Sequence, residues 1–245
     1  MDKIAIISDI HGNLPALETV LADIQARGIE EIYCLGDLAG KGPYSAEAVD
    51  VARAQCAVIV QGNWDLMMSR PHEHPAVIFW QEQLGQARLD YLGNLPYCYD
   101  LQLSGQVVRL YHASQESVYF RVFPWDDKET LAAMFANSEA TGLDRPVPQT
   151  VLYGDIHAAY LLPINRSNQL INVGSVGNPL DQTWATYVIL NGEREASQRS
   201  NIDVEFVRLP YDVEATIAHA RAINMPETEA LAQELRTGIY RGASS

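Results

Sequence analysis

The chain has 245 residues, 47% hydrophobic and 20% charged, which is enough to bury a substantial core within one α/β or layered α+β domain. Its 17 Lys and Arg against 31 Asp and Glu leave a formal charge of −14, which argues against a general binder of long nucleic acid or of an anionic membrane. A small phosphate compound stays open, because a bound cation reverses the local charge.

In chain order, the first third alternates strand and helix. A strand at 4–8 leads to Asn13, an N-cap, and Pro15 in a first helical turn. Leu14, Leu17, Leu21 and Ile24 then share one helical face, and Gly28 ends the helix. A strand at 31–35, a helix at 45–55 with Ser45 as N-cap and a strand at 57–61 follow, which predicts parallel pairing with right-handed crossovers. A helical stretch at 75–93 carries Phe79, Trp80, Leu84, Leu89 and Leu92 as core or interface anchors. Residues 97–103 and 106–112 flank Ser104-Gly105 as a hairpin. A helix near 127–138 and a Gly/Pro loop at 141–149 come next. Three or four short strands are expected over 150–190, then a polar turn, a strand at 204–209, helices at 212–223 and 227–236, and a frayed end from Gly242. The change from parallel units to hairpins favours two packed sheets with helices outside, and no Gly-x-Gly-x-x-Gly follows the first strand.

The termini and cysteines point to the cytoplasm. Met1-Asp2-Lys3 runs straight into a strand without a leader pattern, and no apolar run reaches the ~18 residues of a membrane span. Cys34, Cys56 and Cys98 form no pairing framework or metal spacing, and Cys34 reads as a small core residue.

Five apolar runs each end at side chains able to hold a metal. They lead into Ser8-Asp9-Ile10-His11-Gly12-Asn13, Gly36-Asp37, Gly62-Asn63-Trp64-Asp65, His112, and Gly154-Asp155-Ile156-His157. Strands that stop at such residues, often beside Gly, build a site at one sheet edge. Asp9 and His11 would alternate along an extended segment and so share a side. Carboxylate and imidazole together suit Mn²⁺, Fe²⁺ or Zn²⁺ better than Ca²⁺. Asp37 has two oxygens with which to bridge two ions, and two metals about 3.5–4 Å apart mainly serve phosphoester or amide hydrolysis. Any one of these motifs has a dull explanation as a turn; their order is what carries weight.

At these residues the chain resembles the calcineurin-like metallophosphoesterases, whose pattern is Asp-x-His, Gly-Asp-x-x, Gly-Asn-x-Asp, a lone His and Gly-His-x-His. Ser8-Asp-Ile-His-Gly-Asn-Leu-Pro-Ala-Leu17 resembles a branch of small bacterial and archaeal phosphoesterases, and Ile171-Asn-Val-Gly-Ser-Val-Gly-Asn-Pro179 extends the likeness, which covers roughly residues 4–180. The resemblance implies a four-layer αββα sandwich of two mixed sheets flanked by helices. It implies a first metal on Asp9, His11, Asp37 and His157, and a second on Asp37, Asn63, His112 and Asp155. Asp37, Asn63 and His112 would then act at the reacting phosphate, attacked in line by a bridging water or hydroxide. The implied cofactors are two divalent transition-metal ions, with Mn²⁺ first and Fe, Zn, Ni or Co as alternatives.

Two positions depart from the pattern. The family usually has His where this chain has Asp155. Three carboxylates against two divalent ions leave about +1, where His would leave about +2, so the second ion is expected to be less Lewis acidic and Mn²⁺ favoured. Many relatives carry a leaving-group acid, His, where Trp64 stands. Its lack predicts good leaving groups such as nitrophenol, although Trp64 can also stack on a nucleobase or simply pack. Lys41 and Arg121 are candidate phosphate-binding cations and Asn13 a further candidate substrate residue. Asp65 fixes the loop or caps the next segment. Gly174-Ser175-Val176-Gly177 reads as an anion nest or as a tight turn, and His72 and His74 as a solvated loop.

The reading is a metal-dependent phosphoesterase acting on a small phosphodiester, phosphomonoester or nucleotide. The rival is a non-catalytic scaffold of the same fold that acts through a protein-binding surface, and a two-metal amidohydrolase does not fit the motif order. Residues 79–99 and the acidic C-terminal helices leave room for a homodimer; no membrane or long nucleic acid partner is expected.

Overall fold

The structure, a computed structural model, describes residues 1–242; the end expected to fray, 243–245, lies outside the described residues. Ten strands form two five-stranded mixed sheets. The first contains β1 (Asp2–Ile7), β2 (Glu31–Cys34), β3 (Val58–Ile59), β9 (Ala185–Gly192) and β10 (Asp203–Leu209), in the order β10-β9-β1-β2-β3. The second contains β4 (Cys98–Leu103), β5 (Gln106–Tyr111), β6 (Thr150–Tyr153), β7 (Ala159–Pro163) and β8 (Gln169–Val173), in the order β4-β5-β6-β8-β7. β1, β2 and β3 pair in parallel, as do β5, β6 and β8. Parallel strands end at one edge, so each sheet delivers three chain turns to a common side.

Strand alternation sorts the apolar residues into layers. Ile4 and Ile6 of β1 pack between the sheets with Leu110, Leu152, Ile171 and Leu190, while Ala5 and Ile7 face the helices. On that outer face lie α1 (Leu14–Ala26), α2 (Ser45–Gln55), α4 (Pro75–Gly93), α6 (Val213–Ala222) and α7 (Thr228–Thr237), with α3 (Asn63–Met68) at its end. The far face of the second sheet is covered by α5 (Lys128–Ala133) and its surroundings, where Leu131, Met134 and Phe135 meet Tyr111 and Tyr153. The result is the four-layer sandwich expected. No helix among the described residues is long and apolar enough to cross a membrane.

Asn13 caps α1 by accepting from the Ala16 amide, and Pro15 sits in its first turn. Ser45 does not cap α2: it is the first helical residue, and its hydroxyl accepts from the Gly40 amide, bracing the loop after β2 instead. The 75–93 helix is two pieces, because Gly85 leaves helical geometry at φ 66 and ψ 162. The expected 127–138 helix is shorter, and the hairpin turn at Ser104-Gly105 has both residues left-handed, as a type I′ turn requires. His74 caps α4 in an exposed loop, as the solvated reading of His72 and His74 expects.

Leu152 is fully buried between the sheets. Leu152→Ala leaves a cavity there and should lower unfolding stability by about 2–5 kcal/mol, read from the urea midpoint at constant slope; a loss below about 1 kcal/mol would contradict a shared inter-sheet core.

Candidate metal centre

The five motifs meet at the shared sheet edge, and they do so through coiled rather than extended backbone. Asp9, His11, Asp37, Asp155 and His157 all have positive φ, between 47 and 62. The expectation that strand alternation places Asp9 and His11 on one side is therefore corrected: β1 has ended at Ile7, and a left-handed turn does the work. Such backbone costs side-chain-bearing residues of order 1–3 kcal/mol each, so surrounding contacts must enforce it. They are visible. The amides of Asp9, His11 and Gly12 donate to the carbonyls of Gly36, Asp37 and Leu38 at 2.9–3.0 Å. Val176 and Gly177 donate to the carbonyls of Ser8 and Asp9, both at 2.9 Å. The Gly174–Gly177 amides at 176 and 177 are thus committed to bracing the Asp9 loop, and the anion-nest reading is set aside. Two glycines admit the close approach: a Cβ on Gly62 would collide with Asp37, and one on Gly154 with Ser8 and Asp9.

Asp65 fixes the loop, as expected. Fully buried, it accepts from the amides of Asp37 at 2.8 Å and of Leu38 and Gly62 at 2.9 Å. The last of these is the reciprocal cap of α3. Burial and the nearby Asp37 carboxylate push its pKa up to about 7, against the pull of those amides.

The donor atoms converge. His11 Nε2 lies 3.2 Å from His157 Nε2, which lies 3.2 Å from Asp9 Oδ1. Asp37 Oδ2 stands 3.5 Å from both His11 Nε2 and His112 Nε2. His112 Nε2 is 2.8 Å from Asn63 Oδ1 and 3.8 Å from Asp155 Oδ1. Two triplets are compact enough to hold an ion, Asp9-His11-His157 and Asp9-Asp37-His112, each with ligand atoms within 4.8 Å of one another. Asp9 Oδ1 is buried with no hydrogen-bond partner, and two imidazole nitrogens face each other at 3.2 Å, an arrangement that a cation between them would satisfy. Asp9, His11, Asp37, His112 and His157 therefore fit divalent-ion binding by donor type and proximity, and Asn63 and Asp155 stand beside them.

Backbone carbonyls set the orientation of two imidazoles. His157 Nδ1 contacts the Asn178 carbonyl, which leaves Nε2 for the centre. His112 Nδ1 contacts the Leu35 carbonyl at 2.7 Å. Burial holds His11 well below the usual histidine pKa, so it is a neutral ligand at pH 7. Burial also opposes charge on His112, but Asp37, Asp9 and Asp155 outweigh it and raise its pKa to about 10. An imidazolium donating from both nitrogens to Leu35 and Asn63 agrees with that direction.

The substrate-side candidates divide. Arg121 Nε lies 3.1 Å from Asp155 Oδ2, with half of its side chain exposed. Lys41 Nζ donates to Asn178 Oδ1 at 3.0 Å and lies 5.7 Å from the Trp64 ring. Trp64 is wedged edge-on against His11 and Trp80, each 5.6 Å away, and a Cβ on Gly40 would strike its ring. These contacts are those of a packing residue. Asn13 is buried, with its amide on the Gly177 carbonyl and Tyr211 hydroxyl and its carbonyl oxygen on Ala16 and Thr216, so it is not free for a substrate. Sequence reasoning missed Asn178, which serves His157, Lys41 and, at 3.3 Å, the buried Glu234 of α7. Its sequence signal is its place in the segment 171–179, just after Gly177.

Residues 2–195 match the calcineurin-like phosphoesterase superfamily domain. The uncharacterized protein MJ0912 of Methanocaldococcus jannaschii is 30% identical over 91% of this chain and 94% of its own length. The phosphodiesterase YfcE of Escherichia coli strain K12 is 34% identical over 95 residues, 34% of this chain and 52% of that protein. A metallophosphoesterase from Sphaerobacter thermophilus superposes with a TM-score of 0.75 at 27% identity, covering 97% of this chain and all of that one.

Asp65→Asn offers one acceptor to three amides and a repelling NH₂. It should lower the urea midpoint by the equivalent of about 1–3 kcal/mol and reduce bound Mn²⁺ measured by plasma emission; unchanged metal content would deny Asp65 its bracing role. Metal must displace the His112 proton, and the raised pKa means that this proton is held throughout the neutral range. Mn²⁺ affinity should therefore rise with pH from 6 to 9, with proton release detected by calorimetry in buffers of different ionisation heat. A flat profile would show that His112 does not ligate.

Proposed function

This chain belongs to the calcineurin-like phosphoesterase superfamily, and we propose that it hydrolyses a small phosphodiester, phosphomonoester or nucleotide at a centre of two divalent ions. The single observation that carries the reading is the position of Asp37 Oδ2, 3.5 Å from an imidazole of each ligand group. One carboxylate between two donor clusters suits a bridging ligand. Asp9, His11, Asp37 and His157 would hold one ion, and Asp37, Asn63, His112 and Asp155 the other. Bound there, divalent ions would supply Lewis acidity for phosphate oxygens and lower the pKa of a water towards about 7.

The chain's own groups then have distinct tasks. Asn178 and Leu35 fix the rings of His157 and His112 in single orientations. Arg121 and Lys41 bring positive charge to the cavity beside Asp155 and His157, where an incoming phosphate needs it. The hydroxyls nearest the ligand loop, Ser8 and Ser175, are both fully buried, and Ser175 donates to the Asp9 carbonyl. That favours water over a serine as nucleophile. Trp64 supplies no titratable proton, so leaving groups of low pKa should react fastest; a positioned acid typically contributes about 10²–10⁴-fold.

The Arg121–Asp155 pair is the observation that favours the rival, a non-catalytic scaffold of this fold that acts through a protein-binding surface, because it satisfies Asp155 within the chain.

Chelator-stripped protein should not hydrolyse bis-p-nitrophenyl phosphate, and added Mn²⁺ should restore turnover. Outer-sphere partners of metal ligands cost about 10–100-fold when mutated, so Asp37→Ala, a bridging ligand, should lose at least about 100-fold. Metal-independent turnover, or full activity in Asp37→Ala, would sink the reading. Asp155→His should strengthen retention of the second ion and broaden metal preference. If stoichiometry, preference and rate all stay as in the parent, the role given to Asp155 is wrong.

A further inference from the structure

Beside the ligand residues opens a cavity of about 440 Å³, within the usual range for small-molecule pockets. Asp155 and His157 contribute to its wall together with two cations, Lys41 and Arg121. The rest is mostly apolar and includes Phe123, Trp125 and Tyr240. We propose that this cavity is a subsite for a planar aromatic group carried on the phosphate ester: the base of a nucleotide or a simple aryl ring. The proposal rests on the phosphoesterase reading only for where the phosphate sits.

The aromatic wall is built as a platform. Trp125 is 77% exposed, while Trp80, which serves the core, is fully buried. Phe123 stacks on Trp125 with centroids 5.0 Å apart and planes inclined by only 11°. An indole backed on one face by a parallel phenyl ring and left largely open to water is shaped for another flat ring. Tyr240, 48% exposed, adds a third aromatic to the same cavity.

Charge points the same way. In a chain of net charge −14, Lys41 and Arg121 share one wall with residues of the candidate centre, so an anion is drawn to that end of the cavity. Two cations against one carboxylate, Asp155, in a cavity that also carries aromatic rings complement an aryl phosphate. Of two larger cavities, one of about 790 Å³ between α1, β2 and α2 has neither cation nor aromatic in its wall, and one of about 540 Å³ has Arg166 and Arg199 but no aromatic; neither contains a candidate ligand.

Tyr240 brings the C-terminal segment into the subsite. It lies past residue 195, where the superfamily match ends. Its position is fixed by its neighbour Arg241, whose guanidinium donates to the buried Glu234 at 2.8 and 3.0 Å. The C-terminal segment thus closes one wall of the cavity.

The test is binding to the full-length protein in Mn²⁺, read by calorimetry with adenosine 5′-monophosphate, phenyl phosphate and inorganic phosphate. The parent should bind both aromatic phosphates more tightly than inorganic phosphate. Trp125→Ala should weaken both by about 5- to 100-fold and leave inorganic phosphate unchanged, while Trp125→Phe keeps most of the affinity. Tyr240→Leu should act in the same direction. Adenosine 5′-monophosphate binding far more tightly than phenyl phosphate supports a nucleobase site; equal binding supports a simple aryl site. The proposal is overturned if all three ligands bind alike, or if Trp125→Ala leaves the aromatic ligands unaffected. Trp125-dependent binding in a protein that hydrolyses nothing keeps the subsite and removes the phosphoesterase reading. Hydrolysis without Trp125-dependent binding does the reverse.

Discussion

Three carboxylates, Asp9, Asp37 and Asp155, are buried at one sheet edge with at most 4% of their surface exposed, and much of the structure around them answers that constraint. Carboxylates in low-dielectric surroundings repel one another and lose hydration, so positive charge must be near. Within the chain it comes from His112, held protonated by these same carboxylates, and from Arg121 on Asp155. The backbone meets the constraint too. Five ligand-type residues adopt left-handed geometry, and amides of neighbouring loops lock them there. A fold that bears such strain and such charge at one point is organised around a cation.

The motifs were legible because their chemistry is local. A short apolar run followed by Gly-Asp or Gly-Asn states both the strand and its end, and parallel pairing then forces those ends together. The two-sheet architecture was readable from the change between strand-helix units and hairpins. The form of the turns was not, since nothing in Ser8-Asp-Ile-His distinguishes an extended segment from a left-handed one until Gly36, Asp37 and Leu38 offer their carbonyls. Ser45 and Asn13 show the same limit from the other side. Each has the composition of a cap, but Ser45 holds the Gly40 amide instead, and Asn13, which does cap α1, also satisfies partners as distant as Tyr211 and Thr216.

Asn178 was invisible for a related reason: its importance lies in three contacts made across the fold. Its carbonyl orients His157, its amide oxygen takes Lys41 and its amide nitrogen reaches Glu234. Glu234 is in turn fixed by Arg241. Through this chain of hydrogen bonds, α7 and the segment after it, both beyond the superfamily match, bear on an imidazole of the centre. The two C-terminal helices are therefore more than a cover for the first sheet.

The two halves of the proposed centre are not equivalent. In the first, burial keeps His11 neutral, and the Asn178 carbonyl turns the His157 ring so that its free nitrogen faces the centre. An ion arriving there would meet a neutral His11 and an already oriented His157. In the second, His112 carries a proton that it shares with Asn63, and Asp155 is engaged by Arg121. An ion held there would displace the His112 proton and would share Asp155 with the Arg121 guanidinium. On the proposed reading the first half fills before the second. Arg121, half exposed and already in the cavity wall, stands where a phosphate at the proposed centre would meet it. Asp155, one of the two positions where this chain departs from the superfamily pattern, thereby ties the second half to a cation of the cavity wall, a tie that a neutral imidazole at that position would lack.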